Sequence, residues 1–212
     1  MITSMSDILC VTNRRLCGED FLKRIDALAA CHPAGIILRE KDLTAQEYQR
    51  LALQALAICQ KHHTRCILHG FADAALALDA AAIHLPLEQL RQLNDRQKAS
   101  FSMLGASCHS LSDALEAQRL GCTYITAGHI FDTNCKKGLP GRGITFLREI
   151  VHAVKLPVYA IGGIDRQNMA QIRRAGAAGR YAKISFSYSQ KCRFVKHIGQ
   201  RTQRETASEG VS

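Results

Sequence analysis

The 212-residue chain is 47% hydrophobic and 22% charged, an ordinary globular balance with enough length for one large domain and its core. Its formal charge of +10 points to anionic partners; the basic residues form no aromatic-interleaved stripe of the kind nucleic acid takes, and small anionic substrates explain those near the loops equally well. No run reaches the roughly 18 apolar residues of a membrane span, and residues 1–7 carry neither the basic nor the apolar region of a leader, so a cytoplasmic protein is expected.

In chain order, residues 8–12 are an apolar run ending in Asn13-Arg14-Arg15, the pattern of a buried strand and its loop. Residues 19–30 place Phe21, Leu22, Ile25, Leu28 and Ala29 at helical spacing. A second strand, 35–38, is closed by Arg39-Glu40-Lys41-Asp42. Thr44 with Glu47 three residues on is a capping-box signature for a helix reaching Cys59. A third strand covers 66–69, a short helix 72–78, a fourth strand 81–85 stopped by Pro86, and a short helix 87–93. The fifth strand is expected at 101–107, followed by a helix over 111–120 that Ser110 caps and Gly121 ends. The sixth strand is 124–127, and a helix follows over 144–154. The seventh strand, 157–161, ends in Gly162-Gly163, and Asp165 is expected to cap a helix over 167–174. An eighth strand is placed at 181–186, a basic helix at 190–203 and a polar tail after it. The expected division is a barrel domain over 1–190 and a basic tail over 191–212. The nine cysteines are odd in number and show no C-x-x-C spacing, so they read as reduced apolar fillers rather than zinc or redox ligands.

Eight short apolar strands, most followed by a helix, suit parallel strands buried on both faces. They predict an α/β fold, a single (β/α)8 TIM barrel; a doubly wound open sheet is the alternative, although it usually has fewer strands. Active groups of such a barrel lie at strand C-termini and in the loops that follow. That rule gathers Arg39, Lys41, His69, His84, Ser107, His109, His129, Lys136, Gly162, Gly163 and Ser185 at one mouth. The longest loop, 128–143, holds His129, Lys136, Lys137, Arg142 and four glycines. A titratable imidazole followed by fixed cations is suited to moving a proton on an anion. His129 is therefore the candidate acid–base group, and His109 is either a second one or an anion contact. The Gly162-Gly163 turn and Ser185 have the makings of a phosphate cradle, since glycine lets backbone N–H groups approach an anion. His84 is read as a filler of the barrel mouth, and Lys61-His62-His63 as a solvated helix end.

Thr12-Asn13-Arg14, Leu38-Arg39-Glu40-Lys41, Ala160-Ile161-Gly162-Gly163-Ile164 and the 128–143 segment together resemble the thiamine phosphate synthase/TenI superfamily of TIM barrels, over about residues 8–179. The segment Gly128-His129-Ile130-Phe131-Asp132-Thr133-Asn134-Cys135-Lys136-Lys137-Gly138-Leu139-Pro140-Gly141-Arg142-Gly143 looks like the TenI branch, as does Ser107-Cys108-His109-Ser110. The synthase branch joins a pyrimidine diphosphate to a thiazole phosphate with Mg²⁺ held by an Asn-Asp pair after strand three and an Asp after strand four. Those positions here carry His69, Gly70 and Gln89, and Ile37 stands where the synthases place a glutamine. The TenI branch is a thiazole tautomerase, which aromatises a carboxythiazole phosphate by proton transfer and needs no metal. The resemblance thus implies an isomerase of thiamine biosynthesis with His129 as catalyst, no cofactor and no metal. It assigns Gly162, Gly163 and Ser185 to phosphate, and Arg39, Lys41, Ser107, His109 and Lys136 to the rest of the thiazole phosphate. A homo-oligomer is allowed by this reading, and no membrane or nucleic-acid partner is implied. The synthase reaction and a non-catalytic, regulatory binder are the alternatives. After Gly179 the sequence departs from the family's small apolar strand and Ser-Gly phosphate contact, reading Arg180-Tyr181-Ala182-Lys183-Ile184-Ser185-Phe186.

Overall fold

All four residues of Gly35–Leu38 are buried, as they are in Ile8–Val11 and Cys66–His69, and that is the burial of parallel strands covered on both faces. The computed structural model describes residues 5–183, apart from 19, 134, 135, 137 and 166. Its strands are β1 (Ile8–Val11), β2 (Gly35–Leu38), β3 (Cys66–His69), β4 (Ala82–Pro86), β5 (Met103–Cys108), β6 (Tyr124–Gly128), β7 (Val158–Ile161) and β8 (Gly179–Lys183). They form a closed parallel barrel in sequence order, with β8 returning to β1 through the pairs Ile8↔Arg180 to Val11↔Lys183. The protein is a single (β/α)8 TIM barrel, and the open doubly wound sheet is excluded by this closure.

The helices are α1 (Phe21–Ala29), α2 (Ala45–Lys61), α3 (Ala72–Ala77), α4 (Leu87–Gln92), α5 (Asp95–Ala99), α6 (Leu111–Arg119), α7 (Gly143–Ala153) and α8 (Met169–Arg174). Strand alternation divides the apolar residues between two cores. Leu9, Val11, Ile37, Ile67, Ala82 and Tyr124 fill the barrel. Ile8, Cys10, Ile36, Leu38, Leu68 and Ile83 face outward into the larger core shared with the helices. Gly105 is an interior position left empty for a ring, since a Cβ there would lie 2.1 Å from Tyr124 Cζ.

The expected capping box holds: Glu47 N–H donates to Thr44 Oγ1 at 3.3 Å, and Thr44 N–H to Glu47 Oε2 at 2.8 Å. Ser110 likewise accepts from Asp113 N at 3.0 Å at the start of α6. Other boundaries move. α5 was not expected, although Asn94 and Gln97 form a reciprocal capping box before it. α8 begins at Met169 because Asp165 accepts from Gln167 N and Asn168 N in a turn rather than capping a helix directly. β5 begins at Met103, and β8 at Gly179, two residues before its expected start. His62 and Lys61 are not simply solvated, since both reach Asp26 of α1, at 2.8 and 3.1 Å. The described cysteines Cys10, Cys17, Cys31, Cys59, Cys66, Cys108 and Cys122 stand as thiols rather than in disulfides. Among the described residues no helix is long and apolar enough to cross a membrane. Ser185, the basic helix at 190–203 and the 191–212 tail lie outside the described residues.

Candidate active site

The C-terminal ends of the strands build the mouth from three pieces. The first joins β1 to β2. Glu40 is 2% exposed and accepts from Thr12 Oγ1 at 2.6 Å and from Arg14 N at 3.0 Å. Thr12 Oγ1 in turn accepts from Arg39 N at 3.0 Å. A buried carboxylate needs such partners, and here they lock the backbone that carries Arg39 and Lys41. Burial, and then the charges of Arg39 and Lys136, hold the Lys41 ammonium below its usual range. Three cations from two loops therefore lie within electrostatic reach of one another, an arrangement that favours a bound anion. From the helix side, Tyr48 of α2 donates to Leu38 O at 2.7 Å and accepts from His69 N at 2.8 Å, pinning β2 to β3.

The second piece is the segment after β6. Ile130 N–H and Phe131 N–H donate to the carbonyls of Ile161 and Gly162, at 2.8 and 3.1 Å. Arg142 N–H and Gly143 N–H donate to those of His129 and Ile130, at 3.0 and 2.9 Å, so His129 is gripped from both ends of its loop. Gly162 (φ +96°) and Gly163 (φ +62°) are both left-handed. A Cβ on Gly162 would lie 2.3 Å from His129 Cβ, and one on Gly163 2.5 Å from Asp132 O. The glycine turn thus admits the histidine loop at van der Waals range. Among the described residues no backbone hydrogen bond uses the N–H of Gly162 or Gly163. His129 Nε2 lies 3.2 Å from Leu139 O, and a carbonyl only accepts, so that nitrogen carries the proton and Nδ1 is the ring's acceptor. Among the described residues Nδ1 has no hydrogen-bond partner. His109 Nδ1 lies 2.9 Å from Gly128 O, which fixes the opposite tautomer there and leaves Nε2 as acceptor.

The third piece is polar and buried. His84, 0% exposed, has Nδ1 2.9 Å from the Tyr124 hydroxyl and Nε2 2.8 Å from Ser107 Oγ. His69, 6% exposed, stacks on it with ring centroids 5.6 Å apart. Burial, aided by Arg39 and Lys41, pushes the His69 imidazole down to about 4, and burial beside His69 pushes His84 well below the usual histidine range. Both rings are neutral near pH 7.

The expected residues are thus brought to one mouth, Ser185 excepted because it lies outside the described residues. His84 is more than a filler, since both its nitrogens are bonded. The sequence reading gives Glu40, Thr12, Tyr48 and Tyr124 no role at the site, although Thr12 and Glu40 stand in the motifs that carry the resemblance. The carboxylate of Glu40 between two cations was a legible hint; the tyrosines sit on apolar runs and gave none.

A TIM barrel with histidines and cations collected at its C-terminal mouth has the layout of an enzyme for a small anionic substrate. The thiamine monophosphate synthase family model matches residues 8–184. A thiamine-phosphate synthase of Clostridium tetani is 33% identical over 175 residues, 80% of this chain and 82% of that one. Thiamine-phosphate synthase 2 of Streptococcus pneumoniae is 34% identical over 175 residues, 80% and 81% of the two chains. The thiamine phosphate pyrophosphorylase structure from Pyrococcus furiosus shares the fold at a TM-score of 0.74 and 24% identity, covering 92% of this chain and 98% of that one. The chain belongs to the thiamine monophosphate synthase family, a family of thiamine biosynthesis.

The Mg²⁺ that the synthase resemblance implies does not fit the side chains present. His69 is neutral, Gly70 offers no side chain, and Gln89 offers one amide oxygen, buried and without a hydrogen-bond partner. Among the described residues no three His, Cys, Asp or Glu groups cluster as metal ligands. Mg²⁺ is normally held through one or two carboxylates with waters and substrate phosphate oxygens, and these three positions supply no carboxylate.

Proposed function

We propose that the protein is a thiazole tautomerase of thiamine biosynthesis that acts without a metal. The observation that carries this reading is the seating of His129 against the Gly162 turn, with Nε2–H tied to the Leu139 carbonyl and Nδ1 left as acceptor. A thiazole phosphate would place its phosphate at the N–H groups of Gly162 and Gly163, with Ser185 as a further contact. Arg39, Lys41 and Lys136 would take the carboxylate, Ser107 would donate to the substrate's anionic groups, and His109 would orient the ring. Nδ1 then removes the proton from the ring carbon, and the electron pair moves through the ring toward the exocyclic double bond. The imidazolium returns that proton to the exocyclic carbon, so the ring becomes aromatic and the histidine ends as it began. The surrounding cations stabilise the negative charge of the intermediate.

The names of the relatives favour a second reading, coupling of a pyrimidine diphosphate to a thiazole phosphate. One pair of assays separates the two. Purified protein is given the carboxythiazole phosphate tautomer and followed by ultraviolet absorbance, then the two coupling substrates with Mg²⁺. The first reading expects isomerisation, its loss by at least about 100-fold in His129→Ala, and no thiamine phosphate. Mg²⁺-dependent thiamine phosphate formation would overturn it in favour of the synthase. Binding without either turnover would leave a non-catalytic binder.

A further inference from the structure

The proton transfer above makes no use of Tyr124 or His84, yet both are deeply buried beneath the mouth. His84 is fully enclosed, Tyr124 is 1% exposed, and the ring between them and Ser107 has a hydroxyl on each nitrogen. Tyr124 shares the barrel interior with Leu9, Val11, Ile37, Ile67 and Ala82. Polar groups in such a core stabilise no better than well-packed apolar ones, so stability alone gives little reason to place them there. The barrel also sacrifices the side chain of Gly105 to let the Tyr124 ring cross to His84.

We propose that Tyr124 and His84 are positioning residues that aim the Ser107 hydroxyl hydrogen at the substrate anion in the mouth. The proposal rests on reading the mouth as the thiazole phosphate site. A neutral imidazole has one donor and one acceptor nitrogen, so the two hydroxyls at its ends cannot be oriented independently. Of the three side chains Ser107 alone is partly exposed, at the mouth end of β5. With an anion above it, the favoured arrangement has Tyr124 O–H donating to Nδ1, Nε2–H donating to Ser107 Oγ, and Ser107 O–H donating to the anion. Each bond polarises the next, and the donor is already aimed before the anion arrives. The stacking of His69 on His84 braces the ring from the side of Arg39 and Lys41.

A double-mutant cycle of Tyr124→Phe and Ser107→Ala tests this, read on affinity for thiazole phosphate by calorimetry as well as on turnover. Ser107→Ala should weaken binding by about 10-fold or more, the loss of a hydrogen bond to a charged group. Tyr124→Phe keeps the ring that fills the space at Gly105 and should weaken binding several-fold, but should cost less than about 2-fold once Ser107 is alanine. Nitrogen-15 spectra of His84 should show one protonated and one bare nitrogen, with the tautomer disturbed in Tyr124→Phe. His84→Asn, which keeps one donor and one acceptor, should recover part of what His84→Leu loses. Additive losses, or a His84 signal indifferent to Tyr124→Phe, would overturn the positioning role. Absence of any thiazole phosphate binding would overturn it as well. Failure of turnover with a non-additive binding cycle would sink the tautomerase and leave the positioning role standing.

Discussion

At the scale of single residues, the site depends on side chains that are absent as much as on those present. His129 sits where it does because Gly162 has no Cβ and takes φ +96°. Gly162→Ala would add a left-handed alanine, and its methyl group would fall on His129 Cβ. The left-handed backbone and the overpacking together should cost roughly 2–4 kcal/mol. Because the atom displaced belongs to the proposed catalyst, turnover should fall by about 100-fold in whatever fraction remains folded. Urea unfolding and the absorbance assay measure the two effects; full activity at reduced stability would show that His129 does not need this seat. The doublet Gly162-Gly163 was legible in the sequence as a turn that could cradle phosphate. Its contact with His129 was not, because a close approach between two loops leaves no mark on either local pattern. Gly105 is similar: within an apolar strand it reads as a weakness, and only the Tyr124 ring beside it gives it a reason.

At the scale of elements, α2 shows how local and distant signals divide. Its start was readable, because the capping box at Thr44 and Glu47 is made by residues three apart. Thr44→Ala should cost about 1 kcal/mol, read by chemical denaturation, with the mouth unaffected. Tyr48 on the same helix read only as one more apolar position, yet its hydroxyl bridges Leu38 O and His69 N in a fully buried setting. Tyr48→Phe leaves two buried backbone groups without that partner, so it should cost roughly 2–4 kcal/mol. It should also weaken thiazole phosphate binding, because β2 and β3 carry Arg39 and His69 at their ends. A Tyr48→Phe protein no less stable than Thr44→Ala would contradict this account. The strands themselves were legible because each is a continuous apolar run with a turn behind it. β8 starts two residues before its expected position because Arg180 breaks the apolar run that marks the other strands; that start appears only in the pairing of Gly179 with Tyr159. α5 was overlooked because its five residues are too few to show a helical period, although its capping box was in view.

At the scale of the whole molecule, closure of the barrel forces the inward side chains of adjacent strands together, and so places two imidazoles in contact inside a cationic mouth. Such a site couples acidity to stability. His69 binds its proton less readily folded than unfolded, its titration falling from 6.5 to about 4, chiefly through burial and then through Arg39 and Lys41. His84 shifts in the same direction through burial and His69. Between about pH 6.5 and pH 4 the unfolded chain therefore takes up more protons than the folded one, and acid favours unfolding. The stability these rings supply is complete above about pH 6.5 and is lost as the pH falls toward 4. From His69 alone the loss between pH 7 and pH 5 should be roughly 2 kcal/mol. His69→Asn removes this titration, and it also removes the ring stacked on His84. The variant should therefore differ from the parent in slope rather than merely in level, losing less stability than the parent across that interval. Urea unfolding of both proteins at pH 7, 6 and 5 provides the comparison. Parallel curves would show that His69 is not the group whose protonation the fold resists. A mouth that keeps His69 neutral by burial and fixed cations is also one that waits for an anion. Bound thiazole phosphate should consequently flatten the parent's slope, because a negative charge beside His69 lowers the cost of protonating it.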